Sequence, residues 1–314
     1  MNKNKILVTG GTGLVGSAIK KQFEDNINYD FLFLSSSMCN LLDYSATLKC
    51  FSEFNPDYII HLAANVGGLF KNLSQPVQML EDNIQINSNV LKVAHEIKVK
   101  KLVACLSTCI FPDKIQYPIS ELGLHSGPPH DSNASYAYAK RLLQTQCEAY
   151  KKQYNDNFVC FIPTNIYGPN DNFHLNDAHV IPALIHKCFL AKQNQVPFVI
   201  SGSGRPLRQF LYSEDLAEII VNFCNCINNN EIMIISPDEK DEVSIEYVGR
   251  LIAKEMEYEN FIEFDENKPD GQYKKTASNA QFRDYNPQFD FMKLENGLKT
   301  TITWFLENYP NIRK

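Results

Sequence analysis

The chain has 314 residues, 44% of them hydrophobic and 21% charged, with a formal net charge of −6. That length builds an enzyme-sized core without a metal or disulfide staple, as two domains or as one α/β domain with an appended lobe, and the negative balance argues against a general nucleic-acid binder. Nine cysteines without a Cys-x-x-Cys pair, no secretory leader ahead of Ile6 and no long apolar span lead to the expectation of reduced thiols in a cytoplasmic protein that does not enter a membrane.

Ile6-Leu7-Val8 is a short β-favouring run, followed by Thr9-Gly10-Gly11-Thr12-Gly13-Leu14-Val15-Gly16 and a helical pattern from Ser17 to Phe23. Strand, glycine turn and helix in this order suit a dinucleotide: Gly10, Gly13 and Gly16 permit a tight turn, close approach of a diphosphate and close helix packing, with the helix N-terminus facing the anion. Phe31 to Leu34 is the next strand. It ends in Ser35-Ser36-Ser37, where an NAD site would carry an acid for the ribose 2′-hydroxyl, so hydroxyls and free backbone N–H groups favour NADP, although no arginine stands in this stretch.

Tyr58 to Ala64 reads as a buried strand leading into small residues, with His61 in the core, and 83–97 as a helix apolar over more than one face. Lys101 to Ser107 is a further strand. If it stays extended through Cys109, the period of two aims Ser107 and Cys109 to one side, while Cys105, Cys147, Cys160, Cys188, Cys224 and Cys226 suit buried core positions. The turn-rich segment 117–133 would cover a pocket. In the following helix Tyr136 and Lys140 stand four residues apart and share a face; a fixed cation there would lower the phenol's pKa from about 10 and make it a general acid/base.

Phe158 to Ile162 is another strand, Asp171 to Asp177 a polar loop and Val180 to Ala191 a helix carrying Lys187. The loop 201–209 carries Arg205 and Arg208, guanidinium forks of the kind that suit diphosphates. Phe210 to Tyr212 and the helix after Ser213 are expected to close the sheet. Ser244 caps a helix running to Met256, and the remainder, with a turn at Pro269-Asp270-Gly271 and a last helix 293–306, reads as a small α/β tail.

Gly10-xx-Gly13-xx-Gly16, Ser107, Tyr136-xxx-Lys140 and Pro163-xx-Ile166-Tyr167-Gly168-Pro169 together resemble the extended short-chain dehydrogenase/reductase family of sugar-nucleotide enzymes. The runs 63–68, 107–112, 127–130 and 171–173 extend the resemblance over nearly the whole chain, toward members that epimerise C3 and C5 of GDP-4-keto-6-deoxy-D-mannose and reduce its C4 ketone with NADPH. The resemblance implies a doubly wound Rossmann-type parallel sheet with a smaller C-terminal α/β substrate lobe. The NADP-binding domain would span 1–165, completed by 196–225, and the lobe 166–195 and 226–314.

It implies Ser107, Cys109, Tyr136, Lys140 and His179 as catalytic residues. Tyr136 would protonate the C4 oxygen, Ser107 hydrogen-bond it, Lys140 hold the nicotinamide ribose, and Cys109 and His179 act as epimerisation base and acid. The implied cofactor contacts are Gly10, Gly11, Thr12, Gly13, Leu14, Val15, Gly16, Ser35, Ser36, Leu62, Ala63, Ala64, Leu106, Lys140, Pro163, Thr164, Asn165, Ile166 and His179. Ser107, Cys109, Asn165, Lys187, Ser201 and Arg208 would contact the sugar nucleotide. The chain departs from its relatives at Ser201, where they carry tryptophan, and at Ser35-Ser36, where some carry a basic group. A 4-epimerase or 4,6-dehydratase is the enzymatic alternative, but dehydratases need an acidic pair where this chain has Cys109-Ile110; an idle NADP-binding regulator is the non-enzymatic one. A homodimer is expected from the apolar 83–97 helix and from Leu142, Leu143 and Ala149 on the helix that carries Tyr136.

Overall fold

The computed structural model describes every residue except 1–2, 176, 227–231, 269, 271 and 314, and no side chain at 69, 70, 225 or 226. Two expectations therefore fall outside the described residues: burial of the Cys226 side chain, and the turn at Pro269 and Gly271.

The chain begins with β1 (Asn4–Thr9), α1 (Leu14–Phe23), β2 (Tyr29–Leu34), α2 (Tyr44–Phe54), β3 (Tyr58–His61), α3 (Leu69–Ser74), α4 (Pro76–Glu96), β4 (Lys101–Cys105), α5 (Ala134–Tyr154) and β5 (Phe158–Pro163). It continues with β6 (Asn165–Tyr167), α6 (Val180–Asn194), β7 (Phe198–Ser201), β8 (Leu207–Arg208), β9 (Phe210–Tyr212), α7 (Ser213–Cys226) and β10 (Met233–Ile235). The last elements are β11 (Val243–Ser244), α8 (Ile245–Glu255), β12 (Ile262–Asp265), α9 (Ala280–Tyr285) and α10 (Leu294–Asn308).

A six-stranded parallel sheet runs in the order β10-β5-β4-β3-β1-β2. The period of two divides β1 between two layers: Leu7 joins a core with Ile59, Leu102, Val90 and Leu143, while Ile6 and Val8 join another with Ile60, Val103, Ile19 and Leu216. Burial on both faces explains why these strands read as continuous apolar runs rather than alternating ones, each such side chain contributing about 1.5–3 kcal/mol. The chain leaves β1 in both directions, to β2 on one side and to β3 on the other. That reversal opens a crevice at the C-terminal ends of the strands.

The sixth strand of the sheet is β10, from the segment expected in the lobe; 196–225 adds no strand to it but does add its covering helix. Strand β9 pairs with β6 and β7 with β12, outside the main sheet, because Phe210 and Tyr212 pack into a third core with Tyr167, Phe198, Ile252 and Phe305. Helix α7 instead covers the sheet beside α1. On the other face α4 lies along α5. Leu143, expected to point outward, is fully buried in the core; the exposed stripe on α5 is Tyr138, Leu142, Thr145 and Ala149. As expected, the Ser244 side chain caps α8 by accepting from Tyr247 N, and His61 is buried.

Candidate active site

His61 shows how the sheet fixes the crevice. Thr9 Oγ1 accepts from the backbone N–H groups of Leu62 and Ala63, each at 3.1 Å, so its own hydrogen goes to His61 Nδ1 at 2.8 Å, and Nε2–H donates to Asn87 Oδ1 at 3.0 Å. Burial pushes the imidazole down to about 3, so it is neutral and structural. This chain of bonds ties the start of the Leu62-Ala63-Ala64 loop to the end of β1.

A cavity of about 670 Å3 opens there. Its walls include Gly10, Thr12, Gly13, Leu14, Val15 and Gly16 from the first turn, Ser35 and Ser36 after β2, Leu62, Ala63 and Ala64 after β3, and Leu106, Ser107 and Thr108 after β4. Tyr136 and Lys140 on α5, Pro163, Thr164, Asn165 and Ile166 after β5, Asp171, His179 and Arg313 complete it. Gly11 stands behind the wall: a β-carbon there would lie 2.7 Å from Phe33 Cα. A β-carbon on Gly16 would come within 2.5 Å of the Gly10 carbonyl oxygen, so α1 reaches the turn only because position 16 has no side chain.

These residues fit a dinucleotide. Gly13 is the extended N-cap of α1 and offers no capping side chain, which leaves the first-turn N–H groups turned to the cavity, the geometry that binds a diphosphate. Thr164 Oγ1 and Asp171 Oδ2, both from cavity-lining residues, are buried polar atoms without a partner among the described residues.

Lys140 is buried, and its ammonium donates to the Cys105 carbonyl at 2.8 Å while lying 5.8 Å from the centre of the Tyr136 ring. The two do share a helix face. The pKa consequence differs from the expectation: burial, then the neighbouring thiols Cys109 and Cys105, push the Tyr136 phenol well above its ordinary value, and burial draws Lys140 down. Tyr136 therefore rests as a neutral phenol, the form that donates a proton.

The β4 extension does not stay extended. Ser107 caps a single 3-10 turn, Thr108–Ile110, and its Oγ accepts from Cys109 N at 3.4 Å. The turn is held from α5 by Arg141, whose Nε donates to the Ile110 carbonyl at 2.5 Å and Nη1 to the Gly127 carbonyl at 2.8 Å. Ser107 and Cys109 thus meet through a turn and not through strand alternation. Ser107 lines the large cavity and Cys109 a small adjoining one with Phe111, Asp113, His130, Gln272 and Lys275; the 117–133 segment covers this small cavity rather than the large one. Burial raises the Cys109 thiol, opposed by the Ser107 hydrogen bond and the Lys275 charge. His179, the N-cap residue of α6, is exposed and lines the cavity; desolvation by the surrounding wall and then the Lys275 charge lower its imidazole.

Lys275 thus acts electrostatically on both Cys109 and His179, and the sequence reading missed it. Its only local signal is a pair of lysines beyond the 269–271 turn. Arg208 is fixed by its own neighbours, donating to the carbonyls of Leu207 at 2.6 Å and Gln272 at 2.7 Å. Arg208, Lys187 and the exposed Ser201 do not line the large cavity. Asn165 does, with its Nδ2 donating to the Gln209 carbonyl at 3.0 Å.

Residues 6–235 match the NAD dependent epimerase/dehydratase family. The GDP-L-fucose synthase of Dictyostelium discoideum is 48% identical over 315 residues, covering 100% of this chain and 98% of the relative, and that of Escherichia coli K12 is 33% identical over 321 residues, covering 100% of both. A crystal structure of a GDP-L-fucose synthetase from Naegleria fowleri bound to NADP superposes with a TM-score of 0.96 at 45% identity, covering 100% of this chain and 96% of that one. A parallel sheet with a glycine-turn crevice, a serine–tyrosine–lysine set inside it and full-length similarity of this degree place the chain in the NAD dependent epimerase/dehydratase family, among the GDP-L-fucose synthases.

Proposed function

We propose that the chain converts GDP-4-keto-6-deoxy-D-mannose to GDP-L-fucose, inverting C3 and C5 and reducing the C4 ketone with NADPH. The observation that carries the reading is the placement of Ser107, Tyr136, Lys140 and His179 on one cavity, with Cys109 one turn away beside Ser107. Protons on C3 and C5 are acidic only because both carbons flank the C4 ketone, so one set of groups around that oxygen serves all three steps. Ser107 and the neutral Tyr136 phenol hydrogen-bond the oxygen as it gains charge, Cys109 removes the α-proton and His179 returns one from the other face. NADPH, when bound, supplies the hydride to C4, and Tyr136 gives its proton to the oxygen. Lys140, anchored on the Cys105 carbonyl, places its positive charge where it stabilises the phenolate left behind.

Residues 1–165 together with α7 and β10 are read as the body that holds NADP, and the remainder as the lobe that holds the sugar nucleotide. Lys187 and Arg208 are assigned to the GDP diphosphate, and Ser201 to the outer edge of that site. The chain acts as a homodimer through α4 and α5. Incubation with GDP-4-keto-6-deoxy-D-mannose and NADPH, following the absorbance of the reduced nicotinamide and identifying the sugar by NMR, tests the reading. Oxidation of NADPH with formation of GDP-L-fucose is expected; no oxidation, or a product with uninverted C3 or C5, would overturn it.

A further inference from the structure

The glycine turn carries no basic residue, and neither does the serine stretch after β2, yet a cation stands over the turn. It comes from the opposite end of the chain. After α10 the segment 309–313 folds back: Ile312 is buried in the third core, and the Arg313 carbonyl accepts from Phe173 N at 2.9 Å. With its backbone fixed in this way, Arg313 lines the large cavity, and a β-carbon built on Gly13 would lie 3.9 Å from its Nη1. The guanidinium makes no hydrogen bond or ion pair with any described residue. Asp171, also on the cavity wall, has a buried, unpartnered Oδ2; burial pushes its carboxyl up to about 7, opposed by the Asn172 N–H and then by the Arg313 charge.

We propose that Arg313 is a cofactor-binding residue that closes over the diphosphate of NADP(H) at the Gly13 turn, supplying from the lobe the cation that the turn itself lacks. This rests on the NADP reading above. The first-turn N–H groups of α1 can meet one side of a diphosphate, and a guanidinium fork with donors to spare fits the side facing solvent. Position selects the diphosphate over the 2′-phosphate, because Gly13 heads α1 whereas the 2′-phosphate would lie against Ser35 and Ser36 at the end of β2. Asp171 lies on the same cavity wall, and its carboxyl feels the Arg313 charge without bonding to it. The same contact would join the two cores, because Arg313 is anchored on the lobe through Ile312 and Phe173 and reaches a turn that belongs to the sheet.

The test is equilibrium binding of NADPH and of NADH, followed by nucleotide fluorescence, to the wild-type chain and to Arg313→Ala and Arg313→Lys at two salt concentrations. Arg313→Ala should weaken both nucleotides roughly tenfold, the size of one charge-assisted hydrogen bond, with a smaller ratio at high salt and an unchanged melting temperature without nucleotide. Arg313→Lys should recover part of the loss. Unchanged binding by Arg313→Ala, or a loss confined to NADPH, would overturn the assignment to the diphosphate. A wild-type chain that bound neither nucleotide would instead overturn the cofactor reading on which the assignment rests.

Discussion

Lys140 Nζ lies 5.8 Å from the centre of the Tyr136 ring and spends a 2.8 Å hydrogen bond on the Cys105 carbonyl, so the ammonium faces the phenol without bonding to it. A half-buried, desolvated phenol in this position stays protonated and is stabilised by the cation only after it has lost its proton. Tyr136→Phe should therefore leave NADPH affinity within about twofold and slow C4 reduction by about 10²–10⁴, the range for a positioned general acid. Stopped-flow oxidation of NADPH beside a binding titration separates the two quantities. Reduction at the wild-type rate would remove Tyr136 from the mechanism.

Cys109→Ser should abolish deuterium uptake from solvent at C3 and C5 while sparing hydride transfer, giving a reduced sugar without both inversions. The pH dependence is equally specific. Burial raises the thiol, so the thiolate is a minor species at neutral pH and exchange should rise about tenfold per pH unit until the thiol titrates. Completed inversion also needs protonated His179, whose pKa is lowered by desolvation at the cavity wall and by the Lys275 charge. Gain of thiolate and loss of imidazolium then cancel, and the inversion rate should stay flat across neutral pH. Exchange independent of pH would sink the assignment of Cys109 as the base.

Removing the neighbouring cation tests the role of Lys275. Lys275→Met should raise the Cys109 thiol further, because its charge favours the thiolate, and slow exchange several-fold at pH 7 with little change in reduction of an already inverted substrate. Isotope exchange read by mass spectrometry suffices.

Gly16→Ala puts a methyl group 2.5 Å from the Gly10 carbonyl oxygen and 2.6 Å from Gly11 Cα, both backbone atoms that cannot rotate away. The turn must then move off α1, and NADPH affinity should fall by about 10² or more while the fold persists. Wild-type affinity would mean that the turn is not the diphosphate site.

The exposed stripe of Tyr138, Leu142, Thr145 and Ala149 on α5 predicts a homodimer at micromolar concentration, and Leu142→Glu should shift it toward monomer in sedimentation. A wild-type monomer would reject that interface.

What the sequence determined by itself was local and periodic. A strand, three glycines at intervals of three and a helix specify a turn whose geometry follows from the absence of side chains, and Tyr136 with Lys140 needs only the helical repeat to share a face. His61 was legible as a core histidine because it sits within an apolar run. Tertiary structure decided whatever depended on distant partners. The run after β4 bends into a 3-10 turn because Arg141 on α5 captures the Ile110 and Gly127 carbonyls, which moves Cys109 off the face that strand alternation had assigned to it. Leu143 turns inward because α5 packs along α4, and β10 rather than 196–225 supplies the sixth strand of the sheet because Ile234 and Ile235 fill its two faces. Lys275 and Arg313 reach the site from far along the chain, carried by the packing of the lobe. No periodicity encodes such an approach, because it depends on the closing of long loops around a shared core.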